Sequence, residues 1–476
     1  MKNFTLAVIT ATFVATGAFA QTSADKNILP IETKVLLEKF EKNMHAVKTM
    51  PATIKTMRAK RANEAAIWKP QHGIQYLYDE GWGWDKDAEN NYTYNTQGLV
   101  LTQVLYQNCV YAKLENTYNS KGQITHQIIS NSLDGKTYET NSERVLEYDE
   151  QTGYTTKDET KVSDGEGGTM ISDGSNYTTI ERNSDGNITK LTKYTTNYSL
   201  YPESYNEYHE SERMEIEYAN GGNAPTSITC YGYQKDGISY GLTETYTDMT
   251  WTKSDGQLTS ANPLALISKT NQLKSCTIPG DEITLKFNVV DANDNGAFTI
   301  RVNYEYDGQP VPGEYKYAEE KLEFTDDNGS YQYGVYIYYY NQVALANYIK
   351  EKFDAHGNSI LQEEWETSDE DMYAENSKTG AVLVDGIKHE YKYDGSHGEM
   401  TECIELDYNS KKNKYLPYMK VTFDSFIDTN VTAIKGVNDN TNKPATFYNL
   451  QGLKVNDNAK GLYIMKQGSK TVKIMK

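Results

Sequence analysis

The chain has 476 residues, which is enough for two to four domains and a large buried core. Its formal net charge of −19 at pH 7 repels phosphate backbones, which argues against nucleic acid as a partner. Mean hydropathy is low, yet aromatic residues make up 12% of the chain and include 40 Tyr. Disordered chains are poor in aromatics, so this composition indicates aromatic-rich β-structure instead.

The N terminus has the order of an export signal. Lys2 precedes an apolar run, and a small-x-small cleavage pattern follows at Ala18 to Ala20. The pattern predicts a signal peptide over residues 1–20, with Gln21 as the first mature residue. No later run approaches the ~18 apolar residues of a membrane helix, so we expect no transmembrane span.

Residues 21–69 differ from the rest of the chain. Val35, Leu36, Leu37 and Phe40 fall at helical spacing with Lys and Glu between them, and good helix formers continue after Pro51. We predict a short helical leader.

A recurring unit fills the predicted body, residues 70–430. It reads aromatic-x-Tyr, Asp or Asn, two or three residues, Gly, and then alternating apolar residues, as in YTYNTQGLVLTQV, NTYNSKGQITHQI and KFDAHGNSILQEEW. Alternation places every second side chain on one strand face, and Asx followed by Gly tolerates the positive φ of a tight turn. The unit therefore predicts strand, turn and strand.

These residues resemble the YD-repeat family of Rhs-type surface and shell proteins, through YTYNTQGLV, KFDAHGNSI and YKYDGSHGE. The likeness implies a long antiparallel meander of hairpins that pack on their neighbours, in an all-β fold. The same alternation suits an outer-membrane barrel, but too few strands carry an apolar lipid face for that alternative.

Tyrosines two residues apart recur in the body and predict aromatic strand faces. Cross-strand aromatic pairs stabilise a sheet by about 0.2–1 kcal/mol each, which explains such ladders without a ligand. The alternative is an aromatic platform for sugar rings or peptides. The candidate binding residues are Tyr331, Tyr333, Tyr336, Tyr338 and Tyr340.

The last segment, residues 431–476, reverses the charge of the chain. Eight Lys stand against two Asp, a net charge of +6, and short strand patterns alternate with Gly turns. We predict a separate small β module; the alternative is a stabilising last hairpin of the fold.

YNLQGLKV, KGLYIM and the Lys-ended terminus resemble the C-terminal sorting domain of the type IX secretion system. The resemblance implies that this module is read by secretion machinery and delivers the body to the outer cell surface or the medium. The protein would stay in the periplasm if the tail is not a working signal. The residues that carry the likeness include Tyr448, Gly452, Gly461, Tyr463 and Lys476.

No catalytic signature is present, so we predict no catalytic residues and no cofactor. DANDNG fits the first half of a calcium loop through Asp291, Asn293 and Asn295, but Val302 stands where a bidentate Glu is needed, which excludes an EF-hand. Another kind of calcium-binding turn stays open as the alternative to a plain hairpin turn. The four cysteines form no C-x-x-C pair, and free thiols are favoured over disulfides.

The sequence thus predicts an exported, non-enzymatic β-repeat protein of a Bacteroidetes-like cell surface. It would bind a glycan or a protein ligand, act in adhesion, or serve as an envelope component. The alternatives are a secreted hydrolase whose site the sequence does not reveal, for example a glycan-degrading enzyme, and a purely structural surface-layer protein.

Overall fold

The structure is a computed structural model that describes residues 68–95, 97–164, 167–202, 206–219, 222–234, 237–311, 316–339, 342–367 and 380–429, with the strand segments 446–448, 454–455, 462–467 and 470–475. Most of the described residues lie in β-strands. The helix α1 (Pro263–Leu266) is a single turn, so the all-β class is confirmed. The four cysteines, all in the described part of the chain, form no disulfide bond.

Twenty-four strands share the main sheet. Their bounds are β1 (Trp68–Asp79), β2 (Gly83–Tyr94), β3 (Val100–Gln107), β4 (Val110–Tyr118), β5 (Ile124–Ser132), β6 (Glu139–Tyr148), β7 (Thr155–Ser163), β8 (Thr169–Ile171), β9 (Asn176–Arg182), β10 (Ile188–Thr195), β11 (His209–Tyr218), β12 (Pro225–Tyr233), β13 (Tyr240–Ser254), β14 (Asn271–Ile278), β15 (Ile283–Ala292), β16 (Phe298–Tyr306), β17 (Gln309–Pro310), β18 (Lys316–Phe324), β19 (Tyr331–Tyr339), β20 (Gln342–Phe353), β21 (Ser359–Glu366), β22 (Val382–Lys392), β23 (Glu402–Asn409) and β24 (Lys414–Asp428).

The sheet closes on itself. Every strand pairs antiparallel with its neighbours, and β1 pairs with β24 from Trp68–Asp428 to Leu77–Met419. The short strands β8 and β17 pair only with β7 and β16, so the closed ring has 22 strands. The predicted meander of stacked YD-type hairpin repeats was therefore wrong, because the strands form one closed antiparallel ring. Local hairpin signals specify neighbours, but they do not reveal that the two outermost strands meet and remove the exposed edges.

The recurring Asx-Gly unit forms one kind of turn. At Asn95 the side-chain Oδ1 accepts hydrogen bonds from the backbone N–H groups of Gln97 and Leu99, both at 2.9 Å. Gly98 takes the left-handed conformation that closes the turn, with φ 73°. The same side-chain bonding occurs at Asn119, Asn183, Asp326 and Asp354.

These turns all lie at one end of the barrel, because alternate connections of an antiparallel ring emerge on the same side. We call it the Asx-turn end. The first residue of β1 and the last of β24 also lie there, since Trp68 pairs with Asp428. The other end, the far end, carries the alternate connections, such as the β1–β2 turn at residues 80–82.

Side chains alternate between a buried and a more exposed face, most clearly in β4, β15 and β16. Across β16, β18 and β19, for example, Phe298, Leu322 and Tyr333 are aligned and almost fully buried. We take the buried face as the interior, because within the described chain no further layer covers the outside of the ring.

The interior has two halves. From β10 to β20 it is a continuous apolar core that includes Ile228, Phe287, Ile300 and Leu345, joined by Leu266 from α1. Burying a side chain of this size stabilises the fold by about 1.5–3 kcal/mol. From β21 through β24 to β9 the interior is mixed, with buried polar groups beside a small apolar cluster. The apolar half therefore holds most of the hydrophobic stabilisation.

Interior tyrosines tie neighbouring strands together at the Asx-turn end. The Tyr118 hydroxyl, on the last residue of β4, donates to the carbonyl of Val100 at the start of β3 at 2.7 Å. Tyr148 repeats the contact with Ile124 at 2.8 Å. Three further members are Tyr94 to Pro70, Tyr218 to Ile188 and Tyr391 to Ser359. At this end of the barrel, the turn joins a strand to the strand that follows it in the chain. The tyrosine hydroxyl joins the same strand to the strand that precedes it.

A histidine bridges the seam where the ring closes. His72 of β1 lies 2.7 Å from a carboxylate oxygen of Asp424 on β24 and 3.1 Å from one of Glu89 on β2. The hydrogen bond to Asp424, with a smaller contribution from Glu89, raises the pKa of His72 against the opposing effect of burial. The imidazolium form donates to both carboxylates and so links three strands.

The C-terminal segment forms a separate antiparallel sheet of β25 (Thr446–Tyr448), β26 (Lys454–Val455), β27 (Leu462–Gln467) and β28 (Lys470–Met475). Its strand order is β26-β25-β27-β28. Whether this sheet is a sorting module stays a prediction.

Removing one interior hydroxyl should weaken the tie that it makes. Tyr118→Phe should lower the free energy of unfolding by about 1 kcal/mol, because Val100 O loses its phenol donor and keeps only Asn116 Nδ2 as a side-chain donor, while the ring stays in place. Denaturant titration measures the change. Tyr418→Phe, at a side chain that is 48% exposed, is the matched control and should change nothing measurable. Equal effects of the two variants would contradict the role given to Tyr118.

The seam should be sensitive to pH in a defined direction. The folded pKa of His72 is raised above its unfolded value of about 6.5, so its stabilisation is fully present below that pH and disappears as pH rises through the folded pKa. His72→Gln should cost no more than about 1 kcal/mol at pH 5.5, because the pair with Asp424 is partly exposed, and nothing at pH 9. Unfolding curves at the two pH values test this; a loss that grows with pH would contradict it.

Candidate functional site: an aromatic belt on the outer face

Seven pairs of aromatic side chains face each other across neighbouring strands on the outer face. All seven pairs lie toward the far end of the barrel. Their ring centroids are 4.6–5.9 Å apart. We call them the aromatic belt: Tyr78–Trp84, Tyr106–Tyr111, Tyr177–Tyr194, Tyr233–Tyr240, Tyr317–Tyr338, Tyr348–Trp365 and Tyr408–Tyr415.

The belt is most continuous over β18 to β21. Tyr317 and Tyr338 stack with centroids 4.8 Å apart and planes within 10°. On the next strands Tyr348 stacks on Trp365 at 5.9 Å and on Tyr336 at 6.0 Å. Gly334, directly opposite Tyr348, leaves the space that the tyrosine occupies, since a Cβ there would overlap the Cβ of Tyr348.

Cations lie over several of these rings. The Arg301 guanidinium is 4.4 Å from the centroid of Tyr317, and Lys321 Nζ is 5.6 Å from that of Tyr336. Both cations also contact Glu319, each at 2.8 Å. Burial opposes the charge of Lys321, but its hydrogen bonds to Glu319 and Tyr338 outweigh that effect and raise its pKa. Burial raises the pKa of Tyr336 to about 12, so this phenol stays neutral.

The β1–β2 hairpin carries the most exposed aromatic residue of the described chain. Trp82, between two glycines at the tip, is 92% exposed, and Tyr78 is partly exposed beside it. The other exposed large hydrophobic side chains of the described residues also lie toward the far end, except Leu101 and Val290. The far end is thus the part of the surface that offers apolar groups to a partner.

The structure separates the five tyrosines that the sequence groups together. Tyr331 and Tyr333 point into the interior, where they are 3% and 0% exposed and donate to Glu351 and Glu320. They are not part of an exposed platform. Tyr336 and Tyr338 lie on the outer face, in or beside the belt. Tyr340 lies outside the described residues. Tyr333 and Tyr336 are three residues apart, and an odd spacing along a strand places two side chains on opposite faces of the sheet.

The DANDNG segment forms the hairpin turn between β15 and β16. Asn293 N–H donates to Ala297 O at 2.8 Å, and Asn295 Oδ1 accepts from Ala297 N–H at 3.0 Å. Asp291 is paired with Thr299 in the ladder. Within the described ranges, no three His, Cys, Asp or Glu side chains are grouped closely enough to hold a metal ion. Calcium binding by these oxygens stays a prediction.

The remaining predicted site residues fall outside the described chain or its side chains. Ala18, Ala20 and Gln21 of the signal peptide are among them, as is the leader except for Trp68 and Lys69 in β1. Gly452, Gly461 and Lys476 of the tail are not described either. For Tyr448 and Tyr463 the structure gives only their positions in β25 and β27.

Between the belt and the Asx-turn end the outer face is charged. Opposite charges pair there, as in Lys113–Glu115 at 2.8 Å, Arg301–Glu319 at 2.8 Å and Lys388–Glu390 at 2.6 Å. Arg or Lys on the lipid-facing midplane of a barrel destabilises it by about 2–4 kcal/mol each. This surface is therefore suited to water. Separately, no helix of the described residues has the length and hydropathy of a membrane span.

A group of carboxylates lines the polar half of the interior. The sequence alone does not identify this group as a site. Burial, followed by the charges of Glu405 and Asp385, raises the pKa of Asp407 to about 6. Glu405 also lies 3.2 Å from His389 Nε2 on the adjacent strand. These residues come from two adjacent strands and share the interior face of the sheet. That arrangement can be recognised only once the strand register is known.

Comparison with known proteins adds little. No protein-family model matches the chain, and no curated protein is significantly similar to it. Among solved structures, a porin-like protein from Bacteroides uniformis is similar at 8% sequence identity with a TM-score of 0.20, over 75% of this chain and 98% of that one. A TM-score this low does not indicate a shared arrangement of strands.

The close approach at Gly334 supports the belt and can be tested. Gly334→Ala should lower the free energy of unfolding by about 1–3 kcal/mol, because the added Cβ displaces Tyr348 and meets Asn347 O at 2.7 Å. Gly232→Ala, also within a strand, is the control: its Cβ would lie 3.5 Å from Thr243 Cγ2, and the change should be neutral or slightly stabilising. Chemical denaturation compares the two, and a neutral Gly334→Ala would contradict the packing.

Proposed function

We propose that this chain is an exported, non-catalytic binding protein of the cell envelope or the medium, and that the aromatic belt, together with Trp82 at the tip of the adjoining β1–β2 hairpin, is its binding surface. The observation that carries the proposal is the concentration of outward aromatic pairs and exposed apolar side chains at the far end. Aromatic rings offer large rigid surfaces to sugars and peptides at a small loss of side-chain entropy. The ligand would be a glycan or a protein.

The position of the chain ends supports this arrangement. Both β1 and β24 reach the Asx-turn end, so the predicted signal peptide and the predicted sorting tail connect to the barrel opposite the belt. If the tail engages secretion machinery, as its resemblance implies, the belt would face away from that attachment. Delivery through Tyr448, Gly452 and Lys476 is part of the proposal.

The charged outer face supports a position of the barrel outside the bilayer. Ion pairs such as Lys113–Glu115 surround its middle, where a lipid-embedded barrel needs apolar side chains. We therefore place the barrel in water, at the cell surface or released from it, and not within the bilayer.

A binding experiment tests the proposal. The full-length chain should bind members of a glycan and host-protein array, and Trp82→Ala, at the exposed hairpin tip, should reduce the binding at least several-fold. Leu133→Ala, at another exposed turn of the far end but outside the belt, is the control and should bind as the unmodified chain does. No binding across the array, or loss with the control alone, would contradict the proposal.

A secreted hydrolase is the second candidate, because the raised pKa of Asp407 is what a general acid needs near neutral pH. This function would use the interior and not the belt. If it is correct, the chain should release sugar from a polysaccharide panel, and Asp407→Asn should abolish the release. Activity that survives this substitution would exclude Asp407 as the acid.

A further inference from the structure

Two lysines on the outer face each lie over a Tyr and a Trp. Lys350 Nζ is 5.1 Å from the ring centroid of Tyr348 and 4.8 Å from that of Trp365. Lys420 Nζ is 4.7 Å from the centroid of Tyr76 and 4.9 Å from that of Trp84. We call these two groups the Lys–Tyr–Trp clusters.

Both clusters belong to the same face of the sheet. Lys350 alternates with the interior residues Ile349 and Glu351, and Lys420 alternates with Met419 and Val421, which continue the interior face through β23. Strand β24 is three strand spacings from β21, about 14 Å across the sheet, and the ladder register offsets Lys350 from Lys420 by about 13 Å more along the strands. An oligosaccharide of several sugar units can span that distance.

The two ammonium groups differ from the other cations of the belt. Lys321 and Arg301 are both committed to Glu319, and Lys388 nearby is paired with Glu390. Within the part of the chain that the structure describes, neither Lys350 nor Lys420 has an ion-pair partner. Glu363, which lies opposite Lys350 in the ladder, accepts instead from Trp365 Nε1 at 3.0 Å and from the Tyr415 hydroxyl at 2.9 Å. Each of the two ammonium groups therefore lies beside an aromatic surface with no carboxylate of the described chain at ion-pair distance, on a protein whose net charge is −19.

We propose that the two Lys–Tyr–Trp clusters are subsites for one anionic polysaccharide of the uronic-acid type, an inference that rests on the proposed binding function and names its ligand class. In each subsite the sugar ring lies on the Tyr and Trp faces, and its carboxylate pairs with the lysine. The Lys ammonium swings from the rings to the carboxylate, which replaces a cation–π contact with a stronger charge-assisted hydrogen bond.

This chemistry distinguishes an acidic glycan from the alternatives. A neutral sugar has no carboxylate to draw the two ammonium groups away from the aromatic faces on which it would stack. A flexible acidic peptide lacks a flat ring to cover Trp365 and Trp84. The acidic body of the protein repels a polyanion at long range, so attraction must come from these local charges and should weaken as salt is added.

The test uses the full-length chain and two probes, polygalacturonate and the same polymer after its carboxyl groups have been reduced to alcohols. Lys350→Gln and Lys420→Gln should each weaken binding of polygalacturonate about tenfold, as expected for a lost charge-assisted bond. The double variant should lose more than either, because the subsites hold one chain. The reduced polymer should bind weakly to every variant.

Lys388→Gln is the matched control, since it removes the same charge from the same face at a lysine that is paired with Glu390. It should change the affinity less than twofold. Equal losses with Lys388→Gln and Lys350→Gln would overturn the inference in favour of unspecific charge attraction. Equal binding of both polymers would overturn it too, while Trp82→Ala on the wider array decides the proposed function separately.

Discussion

The ladder between β1 and β24 is the interaction on which the rest of this structure depends. It turns a row of hairpins into a ring, and only a ring gives the sheet an inside and an outside. Side chains that alternate along each strand then meet two different environments. The apolar residues of β10 to β20 fill one side of the interior, and ion pairs lie on the outer face. His72 and its two carboxylates reinforce the same seam.

Tyrosine serves this architecture in two ways, and the strand parity decides which. At the Asx-turn end, Tyr118 and Tyr148 point inward and bond to backbone carbonyls of the preceding strand. At the far end, Tyr317 and Tyr338 point outward and stack on each other. The first arrangement fixes neighbouring hairpins, and the second forms a surface. A chain with 40 tyrosines thereby uses the same residue type to join its hairpins and to form an outward aromatic surface.

Much of the local structure could be predicted from the sequence, and the global structure could not. The Asx-Gly signals at Asn95 and Asp354 identify real turns, because their hydrogen bonds are made within five residues. Closure depends on pairing between residues such as Gly73 and Phe423, far apart in the chain, for which no local signal exists. Every second connection carries the Asx-Gly signal, which fits hairpins in a ring as well as hairpins in a stack.

The candidate site shows the same difference between local features, which could be predicted from the sequence, and long-range contacts, which could not. Tyr336 and Tyr338 were identified because outward tyrosines alternate in sequence, whereas Tyr331 and Tyr333 alternate equally well and are buried. The contact of Lys420 with Tyr76 and Trp84 joins residues far apart in the chain and requires the closed ring.

Hydrogen–deuterium exchange tests the closed ring most directly. If β1 and β24 are paired, the amides of residues 72–77 and 419–425 should exchange as slowly as those of the interior strands β15 and β16. Exchange of both segments within seconds, beside a protected β15 and β16, would show an open sheet and contradict this account.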